Sequence, residues 1–217
     1  MMLPQLLKLK YQDIRNPKPI VPSGAWMYVA SPLADDVTGS GKTLSCIERL
    51  DRTESMYDVP VHIFTNCNYV NQDGAIEKME DITEAPPNSI FLIDEAPTWF
   101  NSRYWQKFPL TMFASLAQNR KMNKQFLMTA QVFDHADKNF RDFARIIVEC
   151  RMSWGNRVVH QCAFRSRDYK KIEDSLDDDF VADRVVWKHK FLATDELFAQ
   201  YDTNYVVKQL QKMNEKE

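Results

Sequence analysis

Five consecutive residues, Gly39-Ser40-Gly41-Lys42-Thr43, have the types and order needed to hold a phosphate chain. Glycine at 39 and 41 lets the backbone wrap an anion with its N–H groups turned inward. Lysine in the next place can reach the β- and γ-phosphates, and a threonine hydroxyl after it can ligate Mg²⁺. A helix starting here adds its positive N-terminal end. The full pattern G-x-x-x-x-G-K-[ST] calls for glycine at position 36, where this chain has Asp36, preceded by Asp35. That first glycine mainly turns the chain out of a strand, and aspartate tolerates left-handed geometry better than most residues. The loop is therefore expected to work with a modified entrance and weaker affinity. Its cradle would be the amides from Thr38 to Thr43, with Leu44 the next contact, and Asp35 and Asp36 would point outward.

A second chemical group closes the run "SIFLIDEA". Asp94 and Glu95 follow an apolar strand, 51 residues after Thr43. Asp94 would hold the metal through its water shell, and Glu95 would take a proton from the attacking water. Gln131 ends another strand-like run and could sense the γ-phosphate or position water. A transferring phosphoryl also needs positive charge from outside the loop. Arg120, Arg141 and Arg145 are the arginine candidates, and Arg141 is the favoured one.

These residues need elements that converge. Apolar strand-like runs alternate with helical or polar stretches, the pattern of a parallel sheet with crossover helices. Strands are expected at Ala25–Ser31, Val61–Asn66, Ser89–Asp94 and Gln125–Gln131, and a hairpin over 145–165 with its turn at Gly155–Asn156. "AWMYVAS" is an unbroken apolar run of the kind covered on both faces of a sheet. Helices are expected at Lys42–Arg52, Pro109–Arg120 and from about Thr194. The division is an N-terminal arm (1–24), a core (25–170) and an acidic, helical C-terminal segment (171–217). The fold class is α/β: a P-loop NTPase of the additional-strand, catalytic-glutamate class, with a mainly parallel sheet flanked by helices. In that class the strand ending in Gln131 lies between the loop strand and the metal-acid strand.

Size and composition suit one well-buried core: 217 residues, 44% hydrophobic and 27% charged. Cys46, Cys67, Cys150 and Cys162 lack metal or disulfide spacing, which fits a reducing compartment. No apolar run reaches the roughly 18 residues of a membrane span. The net charge of −2 conceals an uneven distribution. Residues 101–171 carry 14 basic and 5 acidic side chains, whereas both flanking segments are acidic. Such a segment suits either a polyanion or a set of solvated basic helix faces; on the first reading Arg120, Lys121 and Lys124 are the expected DNA contacts.

"FLIDEA" followed by "LAQNRKMNKQFLMTAQVFDHADKNFRDFARIIVEC" resembles the ATPase domain of the zonular occludens toxin (Zot) and filamentous-phage assembly family. That group belongs to the FtsK–HerA superfamily, which includes the packaging ATPases of membrane-containing phages. The resemblance spans roughly residues 25–150. It places an acidic pair at Asp94–Glu95, a basic step at Asn119-Arg120-Lys121, a strand-end glutamine at Gln131 and an arginine at Arg141. Asp36, and Asn119 and Lys121 where the family often has histidines, depart from the pattern. Zot-type proteins commonly carry a membrane span after this domain, so the soluble packaging branch fits better. The resemblance implies an ATP- and Mg²⁺-dependent DNA motor working as a homo-oligomeric ring, a hexamer being one form. Capsid or virion membrane proteins are further expected partners, and the host cytoplasm or the virion the expected location. The alternatives are a Zot-like assembly, extrusion or secretion ATPase, a nucleotide kinase, and a nucleotide-gated interaction module.

Overall fold

The structure, a computed structural model of the chain, describes residues 7, 11, 15, 17, 19–34, 36–101, 122–133, 138–173, 178–202 and 205. Its strands are β1 (Gly24–Ala30), β2 (His62–Thr65), β3 (Gly74–Ala75), β4 (Ser89–Ile93), β5 (Gln125–Thr129), β6 (Ile146–Ser153), β7 (Val158–Arg165) and β8 (Val185–Leu192). The helices are α1 (Lys42–Asp51), α2 (Thr53–Met56), α3 (Met79–Thr83), α4 (Ala96–Asn101), α5 (Lys138–Phe143), α6 (Ser166–Glu173), α7 (Asp178–Ala182) and α8 (Asp195–Phe198).

The eight described strands form one sheet in the order β3-β2-β4-β5-β1-β6-β7-β8. Pairing is parallel from β3 to β6, and β6, β7 and β8 pair antiparallel. β5 lies between β1 and β4, the order expected for the catalytic-glutamate class. The expected strand ends differ from the observed ones by only a residue or two, because apolar runs bounded by breakers are local signals.

Successive residues of the central strands serve opposite faces. Met27, Val29, Phe91, Ile93, Phe126 and Met128 join one core, which α6 covers with Tyr169 and Ile172. Tyr28, Leu92, Leu127 and Val148 join the other, which α1 covers with Leu44, Ile47 and Leu50. This two-sided burial explains why β1, β4 and β5 read as continuous apolar runs.

The C-terminal segment is a partial correction. Residues 171–217, expected to be helical, contribute β8, which pairs with β7 along its length. Its residues alternate half-buried and exposed, so it forms a half-covered sheet edge. Thr194 does start a helix there, its hydroxyl accepting the Leu197 N–H at 3.3 Å. The expected helix at 109–120, with Asn119, Arg120 and Lys121, lies outside the described residues.

Candidate nucleotide site

The carboxyl ends of β1, β4 and β5 meet at one edge of the sheet, where open α/β sheets bind ligands. The chain leaves β1 at Ser31, whose amide donates to Cys150 O at 2.8 Å. It enters α1 through Gly41, at φ 84° and ψ 21°. A Cβ at Gly41 would lie 3.0 Å from Met152 Cγ, so both conformation and space call for glycine there. Helix α1 has no side-chain cap, which leaves its first amides open toward the loop. Leu44 is buried in the core, so only its backbone can face a phosphate.

Lys42 is 5% exposed and turns back under the loop. Its Nζ donates to Val37 O at 2.6 Å and to Ser40 Oγ at 3.2 Å. Burial lowers its pKa, while Glu95 and Asp94 oppose that shift.

Asp36 is exposed, but its carboxylate turns back onto the loop. Oδ1 accepts the Thr38 N–H at 2.8 Å and the Thr38 hydroxyl at 2.6 Å, and the Gly39 amide also donates to the carboxylate. These bonds, the Thr38 hydroxyl first, hold its pKa down. The expectation that Asp36 points outward therefore needs correction: it engages the first two amides assigned to the cradle. Asp35 lies outside the described residues.

Asp94 is 6% exposed and tied to three elements. The Thr43 and Thr129 hydroxyls both donate to Oδ1 at 2.8 Å. Asn66, just beyond β2, accepts the Asp94 N–H at 2.7 Å and donates to the Asp94 carbonyl at 2.9 Å. Burial raises the Asp94 pKa against these donors. A desolvated carboxylate beside a threonine hydroxyl suits a small hard cation that takes its other oxygens from water and phosphate.

Glu95 sits at φ 51°, uncommon for a residue with a side chain, and its amide donates to Thr129 Oγ1 at 2.8 Å. It is half-buried; burial first, then the Asp94 charge, raises its pKa. Lys42 and the Gln131 side chain pull the other way. Gln131 thus meets Glu95 across the β4–β5 boundary. Sequence reasoning missed Thr129 and Asn66. The signal was present: each is a polar residue at or just past the carboxyl end of a strand.

Two expected residues lie elsewhere. Arg141, on α5, has its guanidinium 5.6 Å from the Phe133 ring centroid, in a cleft away from Lys42. Lys124, expected to contact DNA, is 4% exposed, and its Nζ donates to Ile82 O and Thr83 O at 2.9 and 3.3 Å. It satisfies carbonyls at the end of α3 rather than facing solvent, which corrects that expectation.

The fold and the loop–carboxylate arrangement define a P-loop NTPase-like domain. A model of the family "Zonular occludens toxin (Zot)" matches residues 47–204, so the chain belongs to the Zot family, whose domain is P-loop NTPase-like and nucleotide-binding. The phosphate loop at 36–43 precedes the matched span. The crystal structure of the N-terminal domain of zonular occludens toxin from Neisseria meningitidis is similar at 14% identity and a TM-score of 0.49, covering 83% of this chain and 100% of that one. No curated protein matches the sequence. Among the described residues, no helix is long and apolar enough to cross a membrane.

Proposed function

We propose that this chain binds Mg·ATP at the Lys42–Thr43 loop, hydrolyses it, and couples hydrolysis to DNA movement in a homo-oligomeric ring during phage genome packaging. The observation that carries the reading is the half-buried Glu95, set beside the threonine-braced Asp94 with Gln131 nearby. Thr43 and Asp94 would hold the metal, which neutralises developing phosphate charge when bound. Lys42 faces the phosphates once freed from Val37 O. Glu95 accepts the proton of an attacking water that Gln131 helps to orient. This pairing suits water rather than an acceptor substrate, which disfavours a kinase.

Arg141 stands in a cleft away from Lys42, so its catalytic part would be played across a subunit boundary. Capsid or virion membrane proteins are proposed as further partners, and the host cytoplasm or the virion as the location. The Zot family match favours a second reading, an assembly or extrusion ATPase. Phosphate release measured with and without DNA tests the motor: DNA should stimulate turnover without any other phosphoryl acceptor. ATP hydrolysis indifferent to DNA would leave the extrusion reading standing, and no hydrolysis at all would overturn both. Arg141→Ala should slow turnover about 10²-fold, the scale of losing one transition-state donor. Mixing it with Glu95→Gln should restore part of the activity; no rescue in intact oligomers would place Arg141 outside catalysis.

A further inference from the structure

The basic excess of residues 101–171 has a different focus from the expected one. Lys124 is buried, whereas Arg141, Arg145, Arg165, Arg167 and Lys170 line a single cleft of about 610 Å³ between α5, the end of β7 and α6. Among the described residues, Asp142 is the one acidic residue in the lining. Backbone bonds fix the cleft's place: the Arg145 amide donates to Ala25 O at 2.8 Å and the Ser166 amide to Arg145 O at 3.0 Å. The Ser166 hydroxyl also donates to Arg141 O at 3.0 Å, tying α6 to α5. Arg145 and Arg165 therefore stand by the start of β1, while the phosphate loop follows its end. The seven residues of β1 separate them by roughly 20 Å.

Arg145, Arg165, Arg167 and Lys170 are exposed. Arg167 has an acidic neighbour, Asp168, at 3.5 Å. Among the described residues, no carboxylate pairs with Arg145, Arg165 or Lys170. Arg145, Arg165 and Lys170, exposed in one cleft with no carboxylate of the described residues on them, repel each other, a cost that a polyanion relieves. Guanidinium forks match phosphate oxygens, and the outer cations lie open to solvent, so a polymer can lie across them.

We infer that this cleft binds the sugar–phosphate backbone of a nucleic-acid strand, at the sheet edge opposite the nucleotide. The inference rests on the DNA reading proposed above and gives it a location. Binding runs through phosphates and is therefore steeply salt-dependent and nearly indifferent to sequence.

The test uses the full chain and labelled single-stranded and duplex oligonucleotides, with affinity followed by anisotropy at several salt concentrations. The Arg145→Gln/Arg165→Gln/Lys170→Gln variant should lose at least about tenfold in affinity at low salt. Its log–log salt slope should become shallower by about 2 with single strands or about 3 with duplex, the value for three lost phosphate contacts. Lys188→Gln/Lys190→Gln, on the exposed side of β8, should bind like the parent. ATP binding reports folding, and if the triple variant does not fold, Lys170→Gln alone should still flatten the slope. A parent that binds DNA with an unchanged triple variant overturns the cleft and leaves the DNA reading intact. A parent that binds no nucleic acid overturns both. Tripolyphosphate binding in the cleft without oligonucleotide binding makes it a small-anion site and also overturns the inference.

Discussion

The two edges of the central sheet carry charge in opposite ways. At the carboxyl ends of the parallel strands, Lys42 and Asp94 are 5% and 6% exposed, and each charged group is held by hydroxyls, amides or carbonyls. At the other edge, Arg145, Arg165 and Lys170 are exposed, with no paired carboxylate among the described residues. Burial makes charge tunable: desolvation moves the pKa of Lys42 down and those of Asp94 and Glu95 up, and fixed partners set how far. Exposure instead keeps charge hydrated and exchangeable, as counterion release requires. On the proposed reading, one edge does chemistry on a phosphate and the other holds phosphates reversibly.

The largest effect should come from Lys42→Ala, which removes the ammonium facing the phosphates. ATP hydrolysis should fall by about 10³-fold or more, while oligonucleotide binding stays at the parent level. Normal turnover would refute the loop, and lost DNA binding would show that the two edges are not independent. Glu95→Gln comes next. Nucleotide binding should persist while turnover drops about 10²–10⁴-fold, because the amide cannot accept a proton. Without nucleotide or metal, the Glu95 carboxyl should titrate above the ordinary glutamate value, since burial and Asp94 disfavour the carboxylate. A titration of Glu95 followed by NMR that falls at or below the ordinary value would show that burial and Asp94 do not control this carboxyl.

Asp36→Gly should act more mildly and in the other direction. With its carboxylate gone, the Thr38 and Gly39 amides are released to the phosphates, and nucleotide affinity measured by calorimetry should tighten a few-fold. Weaker binding would mean that Asp36 organises the loop for its ligand rather than competing with it.

The smallest effect concerns Glu149, a half-buried carboxylate between the two edges. It accepts the Ser31 hydroxyl at 3.1 Å and the Tyr169 hydroxyl at 3.0 Å, and burial raises its pKa above 4.5. Because the folded pKa is the raised one, its stabilising contribution is full below the unfolded value. That contribution is lost as pH rises through the folded value. The melting temperature of the parent should therefore fall relative to Glu149→Gln as pH rises from about 4.5 toward neutrality. The change should be about 2–4 °C, the scale of 1 kcal/mol in a chain of this size. Parallel melting curves across that window would show that Glu149 does not link the loop root to α6.

Wherever chemistry and conformation are encoded in adjacent residues, the sequence alone was sufficient. The apolar runs of β1 and β4 end at a proline and at an acid, and that of β5 at the polar Gln131, so strand, loop and helix followed from local propensity. Residue types and spacing were accordingly enough to put Gly39-Ser40-Gly41-Lys42-Thr43 and Asp94–Glu95 at strand ends. Only tertiary structure could decide which side chains meet. Thr129 reaches Asp94 because β5 pairs with β4 in a register that brings Ile93 opposite Met128. Lys124 turns inward because the carbonyls ending α3 arrive beside it from some forty residues away. β8 finds a place because β7 offers an open edge, and the cations from 141 to 170 converge because α5, β7 and α6 close around one cleft. Such contacts depend on strand order and register, which are set by burial summed over the whole chain, and no local window of residues contains that sum.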